Sequence, residues 1–476
     1  MSLTLVVSIA LVVWAASMVV MVVLQRRSPA ATISWLLVLT LLPIVGWGIY
    51  QIIGPQRLAR LKLKRRINRN VADEASDVAR ELEAETPGLH RLQLARIAFS
   101  VGEAPPLRAN DVTLYTEGDD AYAAIADAIA NAKHHIHLEY YIWENDATGQ
   151  KLAERLLARA QAGVKVRIIV DGMGARGVRG KFFAPLLAAG GEVAWFNPVS
   201  LWHLRRRRAD LRTHRKIVIC DGRIGFTGGM NIANCHSAQT DGTAAWRDSH
   251  VRITGSAVRS LQRLFNEDWL YTSGHALPRD PMYWPSVQPQ LGPGDQIVQV
   301  IGSGPDTTGY AIKKFMFAAI NQAVERVWLT TPYFVPDESV LAALMSAALR
   351  GLDVCVLVPQ KGDSRLVDLA ARSYFPELIE AGVKIYQYQP RFIHAKTLVV
   401  DQDVALVGTA NCDVRSFHLN FEVVAVMYGD HIPAELAAAF THDMGNARRV
   451  QQYPPPKHPF ASRLGEASAR LLSPLL

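Results

Sequence analysis

Two short segments of the chain each carry a histidine followed two residues later by a lysine. The pairs are His214 with Lys216 and His394 with Lys396. Residues two apart on an extended strand point to the same face, so each pair is predicted to face one region of space. An imidazole acts as a nucleophile or as a general acid or base near neutral pH, and a protonated lysine supplies a positive charge for a phosphate oxygen. The two pairs therefore indicate chemistry on a phosphate group.

The residues that follow the two pairs also match each other. Counterparts at a constant separation of 180 residues are His214 and His394, Lys216 and Lys396, Asp221 and Asp401, Gly228 and Gly408, and Asn231 and Asn411. The glycines let the backbone turn close to a site, and the asparagine side chains can donate to phosphate oxygens. A lone His-x-Lys pair is more often part of a surface strand than of a site. Two copies in register indicate a duplicated unit that carries function.

Carboxylates near the two pairs are predicted to have two different roles. Asp221 and Asp401 belong to the repeated motif and are candidate catalytic residues by position. Each lies an odd number of residues from its His and Lys, so on a continuous strand it points to the opposite face and is predicted to fix the strand end. Each histidine also needs an orienting carboxylate. The candidates are Asp248 and Glu422, which follow the motifs and begin apolar strands.

Alternating helices and strands precede each His-Lys pair. In the first passage we predict helices at 119–133, 149–162 and near 182–189, and strands at 135–143, 164–170 and 192–196. In the second passage we predict helices at 310–323, 338–350 and 365–380, and strands at 327–334, 353–358 and 383–388. This alternation predicts an α/β sandwich in two halves, 106–285 and 286–476, with the proline-rich segment 277–295 as linker.

The N-terminal end is predicted to be a transmembrane helical hairpin over residues 1–56. Residues 2–24 carry no charged side chain, and a helix of about 22 residues is about 33 Å long, which is enough to cross a bilayer. A second uncharged run covers residues 28–56. A cleaved signal peptide is the alternative, but no basic residue precedes the first run and a second span follows closely. The basic connector 57–105 carries more basic residues after the second span than the turn between the spans, which has only Arg26 and Arg27. The positive-inside rule therefore predicts that the long C-terminal part lies in the cytoplasm.

The composition restricts the class of binding partner but does not identify the partner. The formal net charge is +8 and the pI is about 9.3, which suits nucleic acid, anionic lipid or phosphorylated metabolites. The four cysteines have no C-x-x-C or zinc-finger spacing, so we predict no metal site.

The doubled segments resemble the HxKxxxxD motifs of the phospholipase D superfamily, from about residue 110 to residue 450. The resemblance implies two α/β halves that meet at a pseudo-twofold interface to form one site, with no metal and no other cofactor. It implies that His214 is the nucleophile and forms a phosphohistidine. His394 would protonate the leaving alcohol and then deprotonate the incoming one, while Lys216, Lys396, Asn231 and Asn411 would hold the phosphate.

Further segments are similar to one branch of that superfamily, the bacterial cardiolipin synthases. They are 27–36, 137–141, 302–305, 332–334 and 415–422. This similarity implies a multi-pass protein of the bacterial cytoplasmic (inner) membrane that joins two phosphatidylglycerol molecules and releases glycerol. Its partners would be phosphatidylglycerol and anionic membrane lipids rather than nucleic acid, and its oligomeric state stays open.

Three alternatives remain at this point. The first is another phosphatidyltransferase or hydrolase of the phospholipase D type. The second is a membrane-anchored nuclease, against which the two predicted spans and the lack of an aromatic–basic nucleic-acid module count. The third is an inactive membrane scaffold, which is expected to have lost a histidine or lysine, whereas both pairs are intact.

Overall fold

The fold is that of a computed structural model, which describes residues 3–25, 29–53, 89–109, 111–198, 211–278, 280–285, 296–305, 310–455 and 457–473. Most of the predicted basic connector, residues 57–88, lies outside the described residues. So does the part of the predicted linker from 286 to 295.

The N-terminal part forms three helices. They are α1 (Leu3–Val23), α2 (Pro29–Leu41) and α3 (Pro43–Ile53). The second uncharged run is thus two helices rather than one, because a proline lacks the N–H that a continuing helix needs and Pro43 instead begins a new helix. Taken over the residues that the structure describes, no helix is long and apolar enough to cross a membrane.

The rest of the described chain is a mixed α/β structure, as the sequence predicts. Its helices are α4 (Leu89–Gly102), α5 (Gly118–Asn131), α6 (Ala147–Gln161), α7 (Ala184–Ala188), α8 (Ala238–Asp241), α9 (Val258–Ser273), α10 (Ala311–Gln322), α11 (Glu338–Leu349), α12 (Arg365–Arg372), α13 (Phe375–Glu380), α14 (Val414–His418), α15 (His431–Gly445) and α16 (Phe460–Leu471).

The strands form two large sheets and one short ribbon. In chain order they are β1 (Pro106–Ala109), β2 (Asp111–Tyr115), β3 (His135–Tyr140), β4 (Lys165–Asp171), β5 (Glu192–Phe196), β6 (Ile217–Cys220), β7 (Ile224–Gly228), β8 (His250–Thr254), β9 (Gln296–Ser303), β10 (Arg326–Thr330), β11 (Phe334–Val335), β12 (Asp353–Pro359), β13 (Lys384–Tyr388), β14 (Thr397–Val400), β15 (Val404–Gly408), β16 (Cys412–Asp413), β17 (Glu422–Tyr428) and β18 (Ala447–Val450). The first sheet has the order β2-β8-β7-β6-β3-β4-β5, and the second has the order β1-β9-β17-β15-β14-β10-β12-β13-β18.

The strands of the two sheets are connected in the same way. The strands β3, β4 and β5 are parallel and joined through helices, and so are β10, β12 and β13. The strand that follows each His-Lys pair, β6 or β14, joins antiparallel to the first of these parallel strands. Parallel strands joined by helices are covered on both faces, which explains why every residue of β4 after Lys165 is buried.

The two sheets face each other across a shared core. Ile217 and Ile219 of β6 lie in one buried cluster with Val399 of β14 and Val407 of β15. Because side chains alternate along a strand, Val218 of β6 points to the other face, into a separate cluster formed with the helices. This packing holds the ends of β6 and β14, and therefore the two His-Lys pairs, on rigid elements.

The chain departs from the predicted plan at the start of the first half. Strand β1 pairs antiparallel with β9 and so belongs to the second sheet, although the sequence predicts that residues 106–285 form the first half. Leu94 and Ala98 of α4, which lie in the predicted connector, are buried in the core of the second half. The local sequence does not predict that β1 joins the second sheet, because this pairing depends on which sheet has an edge strand free to accept it.

Two predicted elements are divided. The predicted helix 365–380 is two helices, α12 and α13, and Pro376 lies in the first turn of α13. The predicted strand 327–334 ends at Thr330 and resumes as the short β11, with Pro332 between them.

Candidate catalytic site

The two His-Lys segments each lie against a segment from the other half of the chain. His214 donates its backbone N–H to the carbonyl of Phe421 at 2.8 Å, and His394 donates its N–H to the carbonyl of Arg247 at 2.7 Å. Isolated parallel bridges join Thr213 to Phe421 and Arg247 to Ile393 at the same two places. Each histidine is therefore placed beside the residue that immediately precedes the other half's carboxylate.

Each histidine is hydrogen-bonded to a carboxylate from the opposite half. The Nδ1 atom of His214 lies 3.0 Å from both oxygens of Glu422, and the Nδ1 atom of His394 lies 2.7 Å from Oδ2 of Asp248. Both carboxylates are completely buried. A carboxylate on Nδ1 holds the neutral ring in the tautomer whose Nε2 lone pair is available for reaction.

The surroundings of the two carboxylates are different. Glu422 accepts hydrogen bonds from the Thr409 hydroxyl at 2.5 Å and from the Asn420 amide at 3.2 Å. The position that matches Thr409 in the first half is Gly229. A Cβ there would lie 2.0 Å from Oδ1 of Asp248, so the glycine makes room for the carboxylate.

Asp248 has a different set of partners. It accepts from the Ser249 backbone N–H at 2.7 Å, and its Oδ2 lies 3.6 Å from Nδ1 of His236. The other ring nitrogen of His236 accepts the backbone N–H of Asn231 at 3.2 Å. His236 is therefore hydrogen-bonded to the loop that carries Asn231 and lies beside the Asp248 carboxylate without a hydrogen bond to it.

The lysines lie beneath the histidines and are fully or almost fully buried. Lys216 donates its Nζ to the carbonyl of His214 at 2.8 Å, and Lys396 donates to the carbonyl of His394. Asn231 and Asn411 lie on the loops that follow β7 and β15, and both border the cavity in front of the histidines. The two amides thus border the cavity, and the two ammonium groups lie on the backbone carbonyls of the histidines that border it.

Burial and neighbouring charges set the protonation of these groups. Burial lowers the pKa of His214 to about 4, with Glu422 opposing and Lys216 reinforcing the shift. Burial also lowers the pKa of Lys216 to about 8 and that of Lys396 to about 7, partly offset by the nearby carboxylates. Burial alone raises the pKa of Glu422, but the His214 ring and Lys216 bring it below the ordinary value. His214 is therefore a neutral base at pH 7, whereas the Lys396 charge is sensitive to pH there.

A cavity of about 270 Å³ opens in front of both histidines. Its lining comes from both halves and comprises Tyr141, Ile142, Arg212, His214, Asn231, Trp246, Tyr333, Val335, Asp363, Val367, His394, Asn411, Asp413, Arg415 and Asn420. The Tyr141 ring lies edge-on to His214 with centroids 5.0 Å apart, and the Trp246 ring lies 5.2 Å from that of His394. Both imidazoles therefore border the same cavity.

The structure does not bring Asp221 and Asp401 to this cavity. The Asp221 carboxylate accepts the backbone N–H groups of residues 133, 134 and 135 at 2.7 to 3.0 Å. Asp401 does the same for residues 324, 325 and 326 at 2.8 to 3.2 Å. Both aspartates have a positive φ, 54° and 52°, a region that Asp and Asn adopt more readily than most residues. Each carboxylate thus ties a strand end to the start of a neighbouring strand.

We expect Asp221→Asn to lower stability by about 2 kcal/mol at neutral pH, because charge-assisted hydrogen bonds to backbone donors are weakened. Burial raises the pKa of Asp221, but hydrogen bonds from the backbone N–H groups of residues 133–135 outweigh it and bring the pKa below its usual 3.8. Its stabilisation is therefore present above that value and is lost as the pH falls through the lowered folded pKa. Melting curves should show a difference from the unaltered protein that narrows below about pH 4. An Asp221→Asn protein that melts normally but has no activity would contradict this structural role.

Buried arginines also join the halves. Arg247 forms a two-point ion pair with Asp443 of α15, at 3.1 and 2.9 Å, and both side chains are 5% exposed. Arg215 pairs with Asp268 of α9 and donates to the backbone carbonyl of Glu422 at 3.2 Å. Removing one partner of such a buried pair leaves an uncompensated charge, which is strongly destabilising. These pairs hold the segments of Asp248 and Glu422 against the histidines.

One group of potential metal ligands occurs among the described residues, namely His236, Asp248 and His394. The carboxylate oxygen of Asp248 and Nδ1 of His394 are 2.7 Å apart. Two ligands of a tetrahedral zinc ion lie about 3.3 Å apart, since each bond is about 2.0–2.1 Å. The His394–Asp248 contact is thus a hydrogen bond, and Nδ1 of His236 lies 3.6 Å from the same carboxylate.

Several residues of the site carry no signal in the repeat and were not predicted. His236, Thr409, Arg212 and Arg215 have no repeated counterpart of the same type, so the duplication does not point to them. Arg215 has one available signal. It lies between His214 and Lys216, and strand alternation places it on the opposite face, toward the interior.

Comparison with known proteins identifies the family. A sequence profile described as "Cardiolipin synthase, PLD-like domain" matches residues 125–269 and 316–444, and one described as "Phospholipase_D-nuclease N-terminal" matches residues 10–55. A protein of Geobacillus thermodenitrificans named cardiolipin synthase is 41% identical over 458 residues, covering 95% of this chain and 90% of the relative. One of the same name from Alkalihalophilus pseudofirmus is 39% identical over 461 residues, covering 96% and 91%.

Solved structures agree on the fold. The crystal structure of phosphatidylserine synthase from Haemophilus influenzae matches with a TM-score of 0.62 at 15% identity, covering 81% of this chain and 100% of that one. The doubled His-Lys motifs and the similarity along 95% of the chain lead to one conclusion: the chain belongs to the PLD-like cardiolipin synthase family.

Proposed function

We propose that the chain transfers a phosphatidyl group from one phosphatidylglycerol molecule to another, which yields cardiolipin and releases glycerol. The observation that carries the proposal is the cavity bordered by both histidines, each bonded through Nδ1 to a buried carboxylate of the opposite half. Two such histidines suit a two-step transfer, because one can hold the transferred group while the other moves protons. The cardiolipin synthases to which the chain is similar support the same activity.

In the first step, Nε2 of His214 attacks the phosphorus of the first phosphatidylglycerol. The bond from phosphorus to the glycerol headgroup oxygen breaks, and His394 gives that oxygen a proton, so that glycerol leaves. The low pKa of His214 supports its role as a neutral nucleophile. Burial, the two lysines and His214 hold the pKa of His394 well below its ordinary value in the empty cavity. We assign the proton on His394 to the substrate-bound state, in which the negative charge of the phosphate adds to that of the Asp248 carboxylate beside Nδ1.

In the second step, a headgroup hydroxyl of the second phosphatidylglycerol gives its proton to His394. Its oxygen attacks the phosphorus of the phosphatidyl-histidine, and the bond to Nε2 of His214 breaks. Cardiolipin leaves and both rings return to their starting states. We assign Lys216, Lys396, Asn231 and Asn411 to holding the phosphate oxygens, because charged donors stabilise the negative charge that builds up there. The matched contacts of the two halves support a pseudo-twofold relation between them.

The product assay tests the activity. Purified protein in detergent is given phosphatidylglycerol that carries one label in the headgroup glycerol and another in the acyl chains. We expect one labelled glycerol to be released for each four-chain lipid formed. If phosphatidic acid is the only lipid product at high lipid concentration, the chain is a hydrolase and the proposal is wrong. Cleavage of DNA or RNA at similar enzyme concentrations would favour the nuclease.

We also propose that the N-terminal segment anchors the chain in the membrane, with the catalytic part in the cytoplasm. The lack of charged side chains from residue 2 to residue 24, the exposed apolar side chains of α1 such as Val13 and Val20, and the profile match over residues 10–55 support this. Extraction of membranes with alkaline carbonate should leave the protein in the pellet, and alkaline phosphatase fused after Leu476 should be inactive. Release of the protein would contradict anchoring, and an active fusion would contradict the topology.

We expect kcat/KM to fall as the pH rises through 7 to 8, because Lys396 and then Lys216 lose the charge that binds the phosphate. An acid limb is expected near pH 4, where His214 becomes protonated. Lys396→Arg keeps a positive charge at all these values and should move the alkaline limb to higher pH, whatever its absolute rate. An alkaline limb that stays in place in Lys396→Arg would show that Lys396 does not control it.

A further inference from the structure

The last described helix, α16, has its polarity reversed relative to an ordinary surface helix. The side chains that it buries are small or polar, Glu466, Ala469 and, just after its end, Ser473. Its large apolar side chains point outward. Phe460 is 76% exposed, Leu464 55% and Leu471 82%. With Ala467 these residues have the spacing i, i+4, i+7 and i+11, which places them in one row along the helix. We call Phe460, Leu464, Ala467 and Leu471 the α16 stripe.

The polar side chains that α16 turns toward the protein have hydrogen-bond or ion-pair partners. These contacts fix the rotation of the helix and so direct the stripe outward. Glu466 accepts from the hydroxyl of Tyr453 and lies 3.2 Å from Nε2 of His458. Arg470 stacks 4.4 Å from the ring centroid of Tyr374 and pairs with Glu377 at 2.8 Å. A Cβ added at Gly465 would meet Leu369 of α12 at 3.8 Å, an ordinary packing distance. The helix is fixed on α12 in this rotation.

The exposed charged side chains of α16 and of the segment just before it are basic, although Glu377 of α13 pairs with one of them, Arg470. Lys457 and Arg463 are exposed beside it, and Arg470 lies one face away. The acidic side chain of α16, Glu466, is buried on the inner face. A row of apolar side chains beside basic ones is the pattern of a helix that lies in the interface of an anionic bilayer.

The stripe is one helix away from the cavity. Helix α12, on which α16 packs, contributes Val367 to the cavity lining, and Asp363 lies in the loop just before α12. Leu366 of α12 is itself 40% exposed. A surface that contacts α12 from outside is therefore in a position to set the distance between the cavity and a lipid layer.

We propose that the α16 stripe docks into the headgroup region of an anionic bilayer and holds the mouth of the cavity at the lipid surface. The inference rests on the proposed function for the identity of the lipid substrate, but the contact itself does not depend on turnover. A second copy of this chain fits less well. A stable protein interface uses about 20–30 residues a side, whereas this row has four, and a paired row would bring Lys457 and Arg463 of the two copies together.

The first test measures whether residue 464 enters the bilayer, and it does not require enzymatic activity. Leu464→Cys in the full chain is labelled with an environment-sensitive fluorophore and placed in phosphatidylglycerol proteoliposomes whose acyl chains carry bromine, a contact quencher. Leu349→Cys on α11, where the native side chain is 72% exposed, is the matched control, and the labelled unaltered chain corrects for its own cysteines. We expect blue-shifted and quenched emission at 464 only. Emission at 464 as solvent-like as that at 349 would overturn the proposal.

The second test separates docking from chemistry. The triple variant Phe460→Gln, Leu464→Gln and Leu471→Gln should raise the KM for phosphatidylglycerol in mixed micelles at least about tenfold, with kcat within about twofold. The matched control, Val324→Gln with Leu349→Gln, should change neither constant. An unchanged KM in the triple variant contradicts the proposal. If the unaltered chain forms no cardiolipin, the proposed function fails, while the fluorescence result still decides the docking.

Discussion

Replacing His214 or His394 with alanine is expected to lower the rate of cardiolipin formation by at least about 10³-fold in each case. The two rings border one cavity, and each is held through Nδ1 by a carboxylate of the other half. Losing His214 removes the atom that we assign to the covalent bond. Losing His394 removes the proton for a poor leaving group. The rate losses of the two single variants should not multiply in the double variant, because both residues act in the same reaction sequence.

The rate is measured with purified variants at saturating phosphatidylglycerol, and each variant is first shown to melt as a folded protein. His431→Ala is the control, because that side chain is 65% exposed and pairs with Glu435 on the surface of α15. Its activity should be unchanged. Near-normal activity in either His214→Ala or His394→Ala would contradict a site shared by the two halves.

The second large effect is expected at the carboxylates. Glu422→Gln and Asp248→Asn should each lower kcat by about 10²- to 10⁴-fold, because the neutral amide no longer stabilises the tautomer and the charge of the partner histidine. Each substitution should impair the histidine of the opposite half of the chain. Glu422→Gln disturbs His214, 208 residues away in the sequence, and Asp248→Asn disturbs His394, 146 residues away.

The different surroundings of the carboxylates provide a check. Thr409→Val removes the hydroxyl that donates to Glu422 while keeping the shape of the side chain, so it should weaken the His214 side alone. His236→Gln should weaken the His394 side, since His236 lies against Asp248. Glu435→Gln on the surface is the matched control for loss of a carboxylate. Full activity in Glu422→Gln would show that this carboxylate does not orient the nucleophile.

Much of this site could be predicted because it is repeated. A constant offset of 180 residues identifies ten positions from the sequence alone, and strand alternation separates Asp221 and Asp401 from their histidines. The structure places those two aspartates on backbone N–H groups and away from the cavity. Asp248 and Glu422 are candidates in the sequence only because they follow the motifs. Their pairing with the opposite histidine depends on how the two sheets pack, which local sequence does not encode.

The unrepeated features could not be predicted in the same way. Thr409 and Gly229 occupy matched positions, yet one donates to a carboxylate and the other makes room for one. Strand β1 precedes the first half in the chain but pairs with β9, because long-range strand pairing depends on which sheet edge is free. The division of the second uncharged run at Pro43 follows a local signal, the missing N–H of proline, that hydropathy alone conceals.

We expect His214 to carry the phosphatidyl group between the two lipids. The direct measurement is to mix the enzyme with phosphatidylglycerol labelled at phosphorus, quench within one turnover under alkaline denaturing conditions that preserve phosphohistidine, and map the labelled peptide. We predict an acid-labile label on the peptide that contains His214, and none in His214→Ala. A label on the peptide around His394 would exchange the two roles. The absence of any covalent species during fast turnover would contradict the two-step transfer.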